Sequence, residues 1–378
     1  MKKIVSILLA IILLVGLMPL SVFAVEQAPA EDDSAIVWER YAEEAAEQEL
    51  LKEAAAAYKK AAEKYFELAK TDEVYYSLTN RCYNTAIELF KEEGVYDEVV
   101  KCFEGLGDAY VTCDKYKEAK NAFANAIFNA KEFNVENSNL RVLYEKLGDA
   151  LAKLGEYKEA ADAYSHAIEE TDPSEESYSA LRLKYAQALE SDGLTDDPEG
   201  QETIAKAFID AAGAFAAKGE AEDAISILKH GVTYYENMGD IDHAKKAYAS
   251  LIFELAQANR KDAAASLCFD LYKAYPVDVF TAALLTNIAA PYYESVEDYN
   301  SAALAFETAG DCYKELSDVD LAQECYKEAA EYYEKAKNKS VTGSIIAKEN
   351  ISVLILTIVI AVLITVVVYI LIKRRKVS

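Results

Sequence analysis

The chain has 378 residues, 39 of them basic and 65 acidic, for a formal net charge of −26. A field of that sign repels nucleic acid and anionic lipid and favours cationic partners, which argues against a nucleic-acid-binding role. Its six cysteines show no CxxC or other metal-ligand spacing, so no zinc module is indicated.

Taken in chain order, Lys2 and Lys3 precede an apolar run from Ile4 to about Leu20, and Val22-Phe23-Ala24 supplies small residues for a cleavage site. This predicts a secretory signal peptide over 1–24, with an uncleaved anchor helix as the alternative. Residues 25–35 are polar, contain Pro29 and read as a mobile leader. From 36 to 337 breakers fall at short intervals, among them Gly94, Asp114, Asn134, Gly155, Pro173, Gly193, Gly219, Gly239, Asn259, Pro276 and Ser317. Between them apolar residues recur at three and four, and no stretch alternates as a strand would. The region reads as a single all-α domain of about fourteen antiparallel helices.

Within it one pattern repeats. Phe103, Leu106, Gly107 and Tyr110 are followed by Ala119, Phe123 and Ala126. Tyr144, Leu147, Gly148 and Leu151 are followed by Ala160, Tyr164 and Ala167, and Phe306, Ala309, Gly310 and Tyr313 by Ala322, Tyr326 and Ala329. Weaker copies begin at Phe208 and Tyr248. Glycine opposite alanine (Gly107 with Ala119, Gly148 with Ala160, Gly310 with Ala322) is expected to let two helices approach closely, with the aromatics filling the wider gaps. A hairpin of this kind cannot cover its own apolar face, so stacking is obligatory.

This spacing resembles the tetratricopeptide (TPR) repeat. The unit is about forty-one residues, longer than the usual thirty-four, and with Leu-Gly-Asp-Ala-Tyr at 106–110 and Ala-Gly-Asp-Cys-Tyr at 309–313 it is similar to the SNAP family, the attachment proteins for N-ethylmaleimide-sensitive factor. The resemblance implies a right-handed superhelix of antiparallel helix pairs that binds other proteins. It does not carry SNAP function over, because this chain is acidic and is expected to be exported and anchored. In TPR units the first helix of each pair lines the binding groove through the residues one and five after its leading aromatic. Those are Glu104 and Asp108, Glu145 and Asp149, and Glu307 and Asp311. Acidic residues there imply a Lys/Arg-rich segment as partner.

No sequence motif points to catalysis. GxGxxG, P-loop, HExxH and GxSxG patterns are all missing, and His166, His230 and His243 have no ligand partner at motif spacing. No cofactor, metal or small-molecule substrate is expected. Cys312 and Cys325 face each other across one hairpin and either bridge or stay as lone buried thiols.

After a short polar linker, 338–350, Ile351 to Ile372 carries no charge. At ~1.5 Å per residue it makes roughly 33 Å of helix, enough for a bilayer core of about 30 Å. The basic tail 373–378 (Lys373, Arg374, Arg375, Lys376) belongs on the cytoplasmic side. The expectation is a single-pass membrane protein that displays an extracytoplasmic helical scaffold for protein partners. Two alternatives are a SNAP-like adaptor in membrane traffic and an envelope enzyme with an unrecognised site.

Overall fold

The computed structural model describes residues 28–136, 138–193 and 197–340. Signal peptide 1–24, the first residues of the leader, the linker from 341 on, membrane helix 351–372 and tail 373–378 lie outside the described residues. Among the described residues there is no strand, and no helix is long and apolar enough to cross a membrane.

Where the sequence reads as a single domain, the helices group into two compact units that divide between Asp197 and Pro198. In the first unit, α1 (Ala35–Glu47) and α2 (Leu51–Ala69) lead through a 3-10 turn at Glu73–Tyr75 into α3 (Tyr76–Glu92), α4 (Tyr96–Thr112), α5 (Tyr116–Glu132), α6 (Leu140–Leu154), α7 (Tyr157–Glu169) and α8 (Ser177–Ser191). Each of these helices packs on the one before it and the one after it in this unit, the up-and-down order of a solenoid. The second unit holds α9 (Pro198–Ala217), α10 (Ala221–Asn237), α11 (Ile241–Gln257), α12 (Lys261–Ala274), α13 (Val279–Leu284), α14 (Ala290–Ser295), α15 (Tyr299–Glu315) and α16 (319–340). The last helix runs past Lys337, where the linker was expected to begin.

Helix α6 shows how the residues dictate the elements. The Asn139 side chain accepts the Val142 N–H at 3.3 Å and satisfies one of the open donors of the first turn. Leu143, Tyr144, Gly148, Ala150 and Leu151 are buried on one side. Gly155, with φ +75°, ends the helix in the left-handed region, where a side chain would be strained. The following N–H, on Glu156, reaches back to the Leu151 carbonyl at 3.0 Å. Lys115 to Tyr110 and Asp298 to Tyr293 repeat this closure, both at 2.9 Å, so successive hairpins share one turn design.

The glycines of the repeat do a different job from the expected one. A Cβ on Gly148 would stand 2.6 Å from Cε1 of Tyr164, and one on Gly107 would stand 2.4 Å from Cε1 of Phe123. Gly310 meets Tyr326 in the same way at 2.8 Å. The missing side chain makes room for an aromatic ring of the second helix, one turn beyond the alanine.

The repeat lapses between Cys268 and Phe306, and a broken helix stands there. Pro291 has no N–H to give to the carbonyl four residues back, and a π turn at Leu285–Ala289 directly ahead of α14 takes up the mismatch.

Candidate functional site

Helices α4, α6 and α8 succeed one another as first helices of the repeat, and their side chains meet directly. Glu104 and Asp108 lie one turn apart on α4, as do Glu145 and Asp149 on α6. Neither pair stands alone. Lys146 of α6 donates to Glu104 at 2.8 Å and to Asp108 at 2.7 Å. Lys184 of α8 donates to Glu145 at 3.0 Å and to Asp149 at 2.8 Å. Arg141 adds a contact to Glu145 at 3.2 Å, and the Tyr164 hydroxyl donates to Asp149 at 2.8 Å. Each ammonium group also sits 5.8 Å from a ring centre, Lys146 over Phe123 and Lys184 over Tyr164.

The energetics follow from one cation serving two anions. Burial raises the Asp108 carboxyl above its usual range, and Lys146, shared with Glu104, only partly offsets this. Burial works against the charge of Lys146 too, but its two carboxylates outweigh that and hold it above its ordinary value. Burial, and then the adjacent Asp149, pushes the Tyr164 phenol up, so it stays a donor. These half-buried groups form a preassembled, nearly balanced polar surface.

Among the described residues, the equivalent carboxylates of the second unit meet no cation. Glu307 accepts from the Tyr333 hydroxyl at 2.6 Å and Asp311 from the Tyr326 hydroxyl at 2.7 Å, and among the described residues neither forms an ion pair. Asp311 is exposed and Glu307 half-buried. The six carboxylates are therefore two pairs that each share a lysine and one pair with no cation among the described residues.

Sequence reasoning did not find Lys146 and Lys184. The available signal was a lysine about one repeat beyond each acidic pair. Other cross-hairpin pairs share that separation: Lys59 with Glu98, Lys120 with Glu156, and Lys229 with Asp270 lie 36 to 41 residues apart.

The remaining chemistry is dispersed. Among the described residues no group of three or more His, Cys, Asp or Glu is placed to hold a metal ion. His166 pairs with Glu169, His243 with Asp240, and His230 packs edge-on against Phe208. All six cysteines are free; Cys312 and Cys325 are both buried thiols and do not bridge in this structure. Burial pushes Cys82, Cys102 and Cys268 up to about 12, which makes them poor nucleophiles. In the second unit Oε2 of Glu254 is buried with no hydrogen-bond partner, 2.5 Å from where a Gly213 Cβ would stand.

A family model for the tetratricopeptide repeat matches residues 143–171 and 303–336, which cover most of the α6–α7 and α15–α16 hairpins. The chain carries tetratricopeptide repeats. No curated protein matches the sequence. Among solved structures, the apo form of RapI is 16% identical over 80% of this chain and 99% of its own, with a TM-score of 0.29. The TPR2AB domain of yeast Sti1, solved in complex with pHSP90, is 18% identical over 73% and 98%, with a TM-score of 0.30. The C-terminal part of a TPR protein from Cytophaga hutchinsonii is 15% identical over 71% and 93%, with a TM-score of 0.37. Scores this low give those chains no bearing on how the helices are arranged here. The narrower resemblance to the SNAP family finds no support in these matches. Tetratricopeptide arrays present extended protein-binding surfaces.

Proposed function

We propose that this protein is a membrane-anchored, extracytoplasmic tetratricopeptide scaffold that holds protein partners through Lys/Arg-rich segments. The apolar stretches at both ends of the sequence support the anchoring and the export. The observation that carries the partner chemistry is the pair Glu307 and Asp311, which has no cation among the described residues while the corresponding pairs in the first unit share Lys146 and Lys184. A basic segment meets an open site there, whereas at Asp108 and Asp149 it has to displace Lys146 and Lys184. The reading involves no catalytic step.

Protease added to intact cells should digest the helical domain and spare the membrane helix and tail; protection of the whole domain would overturn the location. For the partner, a labelled Lys/Arg-rich peptide is titrated into the full chain. Glu307→Lys with Asp311→Lys should weaken binding about tenfold at low salt, and Asp108→Lys with Asp149→Lys by less. Equal effects of the two double variants, or binding unaffected by salt, would remove the acidic site and leave only the scaffold.

A further inference from the structure

In this acidic chain one side of α2 is rich in lysine. On α2, Lys52, Lys59, Lys60 and Lys64 are spaced so that they fall on one side of the helix, with Ala56 and Glu63 among them. That side, Phe90 of α3, and Val95 and Glu98 at the start of α4 enclose a cleft of about 390 Å³, within the size range of clefts that hold ligands. Lys101 on α4 reaches the same Glu98 at 2.6 Å. The cleft and its margin thus gather five lysines against Glu31, Glu63, Asp97 and Glu98, an excess of one lysine in a chain whose net charge is −26. Lys52 is exposed and has no partner among the described residues.

A piece of the chain's own leader already rests on the margin. The Glu31 carboxylate pairs with Lys60, and the Glu31 carbonyl accepts from Lys64 Nζ at 2.7 Å. Two lysines one turn apart thereby hold both a side-chain carboxylate and a backbone carbonyl, the two kinds of group that an acidic polypeptide segment presents. The Glu31 side chain remains 80% exposed, so the contact is one that an incoming segment can replace.

We infer that the cleft between α2 and α4 docks an acidic polypeptide segment of another protein, with Lys52, Lys59 and Lys60 meeting its carboxylates over an apolar floor of Ala56, Phe90 and Val95, and with Glu31 holding the place of one ligand carboxylate until the segment arrives. Long polyanions are poor occupants, because the acidic remainder of the chain repels them. A short segment feels the local excess of lysine, since charges beyond about 8–10 Å are screened at physiological salt. This site is separate from the acidic pair at Glu307 and Asp311, and neither depends on the other.

The test is fluorescence anisotropy with the full chain in detergent micelles and a labelled peptide that alternates Glu or Asp with Leu. Binding should be measurable and should weaken as salt rises from roughly 50 mM to roughly 500 mM. Lys52→Glu with Lys60→Glu should weaken it about tenfold, and Lys117→Glu with Lys158→Glu, an equal charge change on exposed lysines of α5 and α7, by less than about twofold. Glu31→Gln should strengthen it by roughly two- to fivefold, because the internal competitor is gone. Circular dichroism and thermal unfolding check each variant; if the Lys60 change disturbs the fold, Lys52→Glu alone decides, since that side chain has no partner to lose. No binding, equal losses in the two double variants, no gain from Glu31→Gln, or equally tight binding of single-stranded DNA of matched charge would each overturn the proposal.

Discussion

In the first unit the carboxylates that follow the leading aromatic of α4 and α6 are met by an ammonium group from the next first helix, whereas at the corresponding place on α15 they end on two phenol hydroxyls. The register is the same in both units, so register alone does not decide what an acidic position does. What decides is the residue supplied one repeat further on. With Lys146 or Lys184 present, the acids are part of the packing between hairpins. On α15 no lysine answers among the described residues, and the stretch one repeat further on lies outside them; there the same acids meet only phenol hydroxyls. The aromatic partners differ in the same sense: Tyr164 is only 4% exposed beneath α6, whereas Tyr326 is half-buried beside α15.

The sharpest way to break this comparison is through the glycines. Leucine at Gly148 has to displace the buried Tyr164 ring and should cost on the order of 2–3 kcal/mol. Leucine at Gly310 meets a ring that can swing toward solvent and should cost about 1 kcal/mol. Denaturant unfolding with hydrogen exchange resolved along the chain measures both, and the Gly148 variant should lose protection in α5 to α8 first. Equal costs would mean that the two hairpins are packed alike. A smaller effect comes from Lys146→Met, which strands Asp108 and Glu104 at a half-buried surface and should cost about 1–2 kcal/mol. Its counterpart in the second unit, Tyr333→Phe, removes one exposed hydroxyl from Glu307 and should change stability by less than about 0.5 kcal/mol.

The smallest effect is in pH dependence. Burial, and then the nearby Asp210, raises the Glu254 carboxyl above its ordinary 4.5. An acid raised in the folded state ionises first in the unfolded chain, so its stabilising contribution is present at low pH and is lost as pH rises from 4.5 through the raised value. Glu254→Gln should therefore flatten the decline of stability toward neutral pH and gain up to about 1 kcal/mol there. Asp108 is raised as well and is intact in both proteins, so the difference between the two curves isolates Glu254. A variant that follows the parent at every pH would place the Glu254 carboxylate in water and remove the penalty assigned to its buried, unpartnered oxygen.

Much of the fold was legible because its signals are local. Gly94, Asp114, Asn134, Gly155, Gly219, Gly239, Asn259 and Ser317 all carry positive φ at helix ends, as residues that break helices should. Glu49 and Glu297 adopt the same left-handed backbone, and nothing in a glutamate announces it. There the flanking helices impose the turn against the residue's own preference. The boundary at Asp197 was hidden for a related reason, since Gly193 to Gly200 looks like any other break between helices. At the candidate site, the repeat register sufficed to select the carboxylates, but their partners depend on which side chains reach across a hairpin interface, and that geometry is not encoded in local spacing.

The α6–α7 hairpin carries Lys146, which serves the acids of the hairpin before it, and also Glu145 and Asp149, which are served by the helix after it. It is a link with a socket at one end and a plug at the other. A tandem copy inserted behind it would find its lysine matched to the original acids and its acids matched to Lys184, each junction keeping two acids to one lysine. Lengthening by duplication is thus written into the electrostatics of this segment, and the number of hairpins in the first unit is free to change over evolution without any new pairing having to arise.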